Sequence, residues 1–160
     1  MSRIVRIIPT ALLLLVLVTP LAQAANIAPI KTFKDVIILK QDAPDAAQKT
    51  HDALVNATEK EKWEIVSDDG NTLRLKRIVR KKHTVVVDVH IRGKAVDVDY
   101  VSSENMHYQK DVQDTRGVCG GERIPGLTAR CADGEVIHPN YGAWVSRLLR
   151  IASRAANSAN

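Results

Sequence analysis

The stretch at 83–100, HTVVVDVHIRGKAVDVDY, constrains the fold more than any other part of the chain. Apolar residues alternate with polar ones on both sides of Gly93 and Lys94, and glycine tolerates the positive φ of a two-residue hairpin turn. If these two residues form the turn, every apolar pair falls on one face of the hairpin. The pairs are Ile91 with Val96, Val89 with Val98, and Val87 with Tyr100. The stretch therefore predicts a β-hairpin with one buried and one polar face.

Two more strands are predicted before this hairpin. One alternating stretch begins at Trp63, and a second one runs over 73–79 after a turn rich in aspartate, glycine and asparagine. A three-residue turn at 80–82 then places Arg74 opposite Asp88. The four strands follow one another with short turns, so the sequence predicts an antiparallel meander with one buried side.

A helix is predicted on each side of this meander. Residues 42–60 begin with DAPD, and acidic residues with a proline are typical of a first helical turn. Asn140 is the expected cap of a second helix, whose apolar stripe reaches Ile151. Four consecutive apolar residues at 36–39 fit a short N-terminal strand. We predict an α+β fold: a two-layer sandwich in which the four-stranded antiparallel meander, with or without the N-terminal strand, is covered on one face by two helices.

The first 24 residues predict a secretory signal peptide. Arg3 and Arg6 precede an unbroken apolar run at 11–18, and AQA at 22–24 is the small-x-small pattern that a signal peptidase cleaves. A membrane-spanning helix needs about 20 apolar residues, so cleavage is favoured over an uncleaved anchor. We expect a periplasmic protein with no transmembrane segment in its mature chain. Residues 25–35 would be a linker, and 36–156 a single domain.

The two cysteines of the chain lie in an irregular segment at 111–139. In an oxidising compartment Cys119 and Cys131 are expected to form a disulfide bond that staples this loop. The loop has two interpretations: an inhibitor-like segment that binds a partner protein through Arg123, or an insertion held down against proteolysis. The sequence leaves both open.

A basic stretch, RLKRIVRKKH at 74–83, holds six lysines and arginines and no acid. It predicts a basic surface at one end of the sheet, suited to anionic lipid heads or lipopolysaccharide. Interleaved aromatic residues, which nucleic-acid binding by stacking requires, are absent from it. The other interpretation, which the sequence favours, is that these lysines protect a sheet edge from aggregation. The candidate binding residues are Arg74, Lys76, Arg80, Lys81, Lys82 and Arg123.

The polar face of the hairpin raises a second candidate site. The predicted register places Asp88 opposite Asp99 and His90 opposite Asp97. These side chains are either a solvated charge ladder that includes Arg74, or the ligands of a divalent-metal protein or metal-dependent hydrolase. A flat, open sheet face offers no enclosure, so the ladder is favoured and no metal site is assigned. No catalytic motif and no cofactor signature is found in the sequence, and we expect a non-enzyme.

Two stretches, YVSSENMHY at 100–108 and IHPNYGAWVSRLL at 137–149, resemble paired signatures of small proteobacterial envelope proteins of unassigned function. Those proteins are often lipoproteins with a helix, a β-meander and a closing helix. This chain lacks their lipid-bearing cysteine and adds the cysteine-stapled segment. The resemblance implies a location in the envelope and carries no activity. We therefore expect a non-catalytic binding protein whose partner is an envelope protein or an anionic envelope surface, and not nucleic acid.

Overall fold

The computed structural model describes residues 26–110 and 134–158. In this part of the chain no helix is long and apolar enough to cross a membrane. The secondary structure elements, in chain order, are β1 (Ala28–Pro29), β2 (Phe33–Ile37), α1 (Ala46–Glu61), β3 (Trp63–Asp68), β4 (Thr72–Val79), β5 (His83–Arg92), β6 (Ala95–Glu104), β7 (Val136–Ile137) and α2 (Asn140–Asn157).

Five of these strands form one antiparallel sheet, in the spatial order β2-β6-β5-β4-β3. A small second sheet pairs β1 with β7. The predicted α+β fold is confirmed, and the N-terminal strand that the sequence left open is present as β2. It begins earlier than predicted and lies beside β6 at one edge, so β2 and β3 are the two edge strands.

The predicted register is also confirmed. Gly93, with a φ of 62°, opens the two-residue turn between β5 and β6, and Val89 lies opposite Val98. In the turn at 80–82, Arg80 and Lys81 both have a φ of 54°, and Lys82 N–H donates to the carbonyl of Val79 at 3.1 Å. A β-bulge after Val86, which the alternation did not reveal, leaves Val101 as the extra residue of β6.

The core lies between one face of the sheet and the two helices. Inward side chains of β4, β5 and β6 are buried, and α2 contributes Tyr141 and Leu148, which are 1% and 0% exposed. Trp63 is buried too, whereas Trp144 is only half-buried at the margin of the core. The largest fully buried side chains are Tyr141, Ile38, Leu54, Leu73, Leu75, Met106, Ile137, Leu148, Val85, Val87, Val89 and Val96.

Both helices begin differently from the sequence prediction. Helix α1 begins at Ala46, after a turn at 44–45, and the Asp45 carboxylate forms an ion pair with Lys49 at 3.0 Å instead of capping the helix. Asn140 is the first residue of α2 and not its cap. Its N–H donates instead to Nδ1 of His138, at 3.2 Å, because the side chain two residues earlier reaches the first turn.

The stretch 25–35, predicted as a linker, contains strand structure from Ala28 onward. β1 pairs with β7, and both Ile30 and Phe33 are buried. A two-residue strand has no period that a sequence pattern could reveal, so pairing with a distant partner decides its conformation. The predicted loop at 111–139 likewise ends in β7, and its first part, 111–133, lies outside the described residues.

Candidate binding surfaces

The turn between β4 and β5 presents three exposed cationic side chains, Arg80, Lys81 and Lys82, which we name the basic turn. The turn is anchored to the chain that follows β6. Asn105 Nδ2 donates to the carbonyl of Lys82 at 2.7 Å, and His83 Nδ1 donates to the carbonyl of Asn105, also at 2.7 Å. The three charges therefore project from a fixed point at one end of the sheet.

Other cations near the solvent face of the sheet are paired with aspartates. Arg74 donates two hydrogen bonds to Asp88, at 2.8 and 2.7 Å, and this guanidinium holds the pKa of the carboxyl below its ordinary value. Lys94 pairs with Asp42 at 2.7 Å. Within the described residues, the basic turn and Lys76 form no such salt bridge. Arg74, predicted as part of the basic surface, therefore has its charge already balanced by Asp88 and lies six residues before the basic turn along β4.

The acidic side of the β5–β6 hairpin is a ladder of ion pairs. Asp99 contacts Lys34 Nζ at 2.6 Å and His90 Nε2 at 3.4 Å. Asp97 accepts from Arg92 at 2.7 Å and from the backbone N–H of Asp35 at 2.8 Å. Although partial burial opposes it, these contacts hold the pKa of the Asp97 carboxyl below its ordinary value. The sequence did not reveal Lys34 and Asp35 as partners, because it placed the N-terminal strand too late in the chain.

This ladder gives the metal alternative no support. In the ranges 26–110 and 134–158, no group of three or more histidines, cysteines, aspartates or glutamates is arranged to hold a metal ion. The carboxylates of the hairpin already have lysine, arginine and histidine partners, which supply the positive charge that a divalent cation would bring. The other alternative, the inhibitor-like loop, rests on Cys119, Cys131 and Arg123, which lie outside the described residues.

A cleft of about 650 Å³ opens between β6 and the chain around β1 and β7. Three tyrosines meet there, so we name it the tyrosine cleft. The ring centroids of Tyr100 and Tyr108 are 4.7 Å apart, and Tyr141 packs edge-on against Tyr100 at 5.8 Å. The sequence indicated YVSSENMHY only as a family signature. It could not indicate the cleft, because the cleft forms only when three segments that are distant in sequence pack together.

Hydrogen bonds fix two of the tyrosine hydroxyl groups. Tyr100 and Ser103 share one at 2.9 Å, and Tyr108 donates to Glu135 at 2.8 Å. The hydroxyl of Tyr141 is buried and has no partner in the described part of the chain. Burial raises the pKa of Tyr141 far above its ordinary value, so the phenol stays protonated. Tyr141 therefore contributes a neutral aromatic surface to the cleft.

Three histidines that are far apart in sequence meet at the end of the sheet near the basic turn. The rings of His107 and His138 are 6.4 Å apart, and His83 lies close enough for its charge to act on His138. Burial, then the charges of His107 and His83, lower the pKa of the His138 imidazole. No motif spacing in the sequence indicates this group, because packing alone brings the three segments together.

Comparison with protein-family models, with curated proteins and with solved structures gives no match for this chain. The resemblance of the two quoted stretches to envelope proteins therefore stays a prediction. No ligand, activity or residue role comes to this chain from another protein, and the function has to be argued from its own surfaces.

Proposed function

We propose that this protein is a non-catalytic binding protein of the cell envelope, exported to the periplasm by cleavage after Ala24. Its proposed partner is an anionic, phosphate-bearing envelope surface, such as lipid head groups or lipopolysaccharide. The observation that supports this proposal is the basic turn, whose three charges lack acidic partners among the described residues. Arg74 and Arg92 of the same sheet, by contrast, are paired with aspartates, whereas Lys76 resembles the basic turn in forming no salt bridge to a described residue.

The topology of the sheet weakens the alternative that these lysines protect an edge. Edge strands are protected by charged side chains because their backbone groups are unpaired. The edge strands here are β2 and β3, whereas the basic turn joins β4 to β5, which lie inside the sheet. β3 covers β4 as far as Arg77, so beside this turn only Ile78 and Val79 offer an open edge, and edge protection is the weaker explanation for three charges.

The expected binding is weak and sensitive to salt. Each lysine or arginine close to an anionic membrane surface contributes about 1 kcal/mol, so the basic turn supplies about 3 kcal/mol. Ile78, half exposed and two residues before Arg80, adds an apolar contact at the same end of the sheet. Salt screens exposed charges, so binding should weaken as ionic strength rises.

Vesicle binding tests this proposal. The chain that begins at Ala25 is mixed with phosphatidylglycerol vesicles, phosphatidylcholine vesicles or lipopolysaccharide micelles, at low salt and at high salt. Reversal of Lys81 and Lys82 to glutamate should weaken binding to an anionic surface by at least about 30-fold, because about 2 kcal/mol is lost. The ratio of lipid to lipopolysaccharide affinity identifies the preferred surface.

The matched control reverses Arg150 and Arg154, two exposed residues of α2, to glutamate. This variant has the same net charge as the Lys81 and Lys82 variant and should retain most of the binding. Equal loss in both variants would show that net charge alone matters and would refute the basic turn as the contact. Separately, the mass of the protein recovered from a periplasmic extract should correspond to a chain that begins at Ala25.

A further inference from the structure

The outer edge of β6 is paired along only part of its length. β2 pairs with β6 from Ala95 to Val98, and β5 pairs with the other side of β6 as far as Glu104. The chain that precedes β2 turns away toward β1, which pairs with β7 instead. Within the described residues, no strand therefore lies beside the outer edge of β6 at 99–104. The backbone N–H and C=O groups on that edge have no hydrogen-bond partners in a neighbouring strand.

This unpaired edge forms one wall of the tyrosine cleft. Lys31 and Thr32 also line the cleft, as does the ion pair formed by Lys110 and Glu135. A volume of about 650 Å³ lies within the usual range of ligand sites, which is about 300–1,000 Å³. The cleft is thus large enough to admit a short segment of chain beside β6.

The charges of the cleft favour a ligand with a carboxylate. Asp99 is balanced by Lys34, and Glu135 by Lys110, at 2.6 and 3.3 Å. Lys31 forms no salt bridge to any described residue, so it is the cation of the cleft whose charge is not balanced there. A carboxylate close to an ammonium group in a partly enclosed site gains a charge-assisted hydrogen bond.

We propose that the tyrosine cleft binds an extended peptide, which pairs with the outer edge of β6 between Tyr100 and Glu104 and places a carboxylate beside Lys31. A strand edge offers donors and acceptors at the spacing of another strand, and a small ligand would leave most of them unused. The tyrosine rings supply apolar contact for alternate side chains of the peptide. This inference is independent of the proposed contact with an anionic surface.

The test uses a synthetic probe, an N-acetylated peptide of alternating valine and threonine that ends in glutamate with a free carboxylate. It is added to the full mature chain while backbone amide signals are followed by NMR. The amides at 99–104 should shift, and the apparent affinity should fall at least tenfold for two matched peptides. One is N-methylated at alternate residues, and the other ends in glutamine amide.

A Lys31→Gln variant should lose the preference for the carboxylate peptide, whereas Lys49→Gln, on the exposed side of α1, should keep it. Equal binding of the N-methylated peptide, or shifts that avoid 99–104, would overturn strand pairing. Absence of binding at millimolar peptide would overturn the proposal. Shifts of the same amides on concentrating the protein alone would assign the edge to a second copy of this chain and also overturn it.

Discussion

Replacing Glu61 with alanine should destabilise the protein more than its position at the end of a helix suggests. Glu61 is 4% exposed, although it lies at the C-terminal end of α1, where the helix dipole disfavours a negative charge. Two cations compensate. Arg147 Nε donates to the carboxylate at 2.8 Å, and Arg77 Nη1 lies 3.5 Å from it. The carboxylate therefore joins α1, α2 and β4.

The magnitude of the effect follows from the exposure of these partners. Removing one member of a buried ion pair costs about 3–5 kcal/mol, since the other charge is left unpaired. Arg147 is 60% exposed and regains water, whereas Arg77 is 16% exposed and stays confined between the rings of Trp63 and Trp144. We expect Glu61→Ala to lower the free energy of unfolding by about 2–3 kcal/mol, at or below the lower end of the range for a buried ion pair. The reason is that only Arg77 is left as a buried charge without its partner.

Urea denaturation followed by tryptophan fluorescence measures this loss, because both tryptophans contact Arg77. The combined variant Glu61→Leu with Arg77→Met removes both charges at similar volume and should recover to within about 1 kcal/mol of the native protein. Glu64→Ala, an exposed acid on β3, is the control and should change stability by no more than about 0.5 kcal/mol. A Glu61→Ala cost below that of the control, or a combined variant as unstable as Glu61→Ala, would show that the ion pair of Glu61 with Arg77 does not set the cost.

Two further predictions concern α2 and its neighbours. The pKa of His138 is lowered by burial and by the charges of His107 and His83, so the unfolded chain binds its proton more readily. The stability that neutral His138 contributes is complete above its unfolded pKa of about 6.5 and is lost as the pH falls below it. The melting temperature should therefore fall less between pH 7 and pH 5 in His138→Asn than in the native protein. An equal fall in both proteins would contradict this. An added Cβ at Gly142 would lie 2.5 Å from Cδ of Lys31, so Gly142→Ala should displace this flexible side chain at little cost in thermal stability. If the tyrosine cleft binds the peptide as proposed, Gly142→Ala should no longer prefer the peptide that ends in a carboxylate over the one that ends in glutamine amide. An unchanged preference would contradict the placement of Lys31.

The sequence predicted the parts of this fold that local pattern determines. Strict alternation on both sides of Gly93 identified the register of β5 and β6, because a slip by one residue would move Val89 and Val98 into solvent. The same alternation places Arg77 on the inner face of β4, where it packs between two tryptophans. A charged residue at such a position gains its partner only from tertiary packing.

The sequence did not predict features that depend on contacts between distant segments. β1 and β7 are two residues long, and they form by pairing with each other and, for Val136 of β7, with Gln109. The tyrosine cleft results from the divergence of β2 from β6, which no local signal encodes. The histidine group at His83, His107 and His138 has the same origin, whereas the basic turn was visible in sequence because its residues are consecutive.

The most direct test of the proposed function maps the face of the protein that meets an anionic surface. The mature chain is bound to phosphatidylglycerol bicelles that contain a lipid with a nitroxide in its head group, and the broadening of each backbone amide is measured by NMR. If the basic turn is the contact, broadening is strongest at Arg80, Lys81 and Lys82 and is lost when Lys81 and Lys82 are reversed to glutamate. Strongest broadening along α2, near Arg150, or uniform broadening over the whole domain would contradict it.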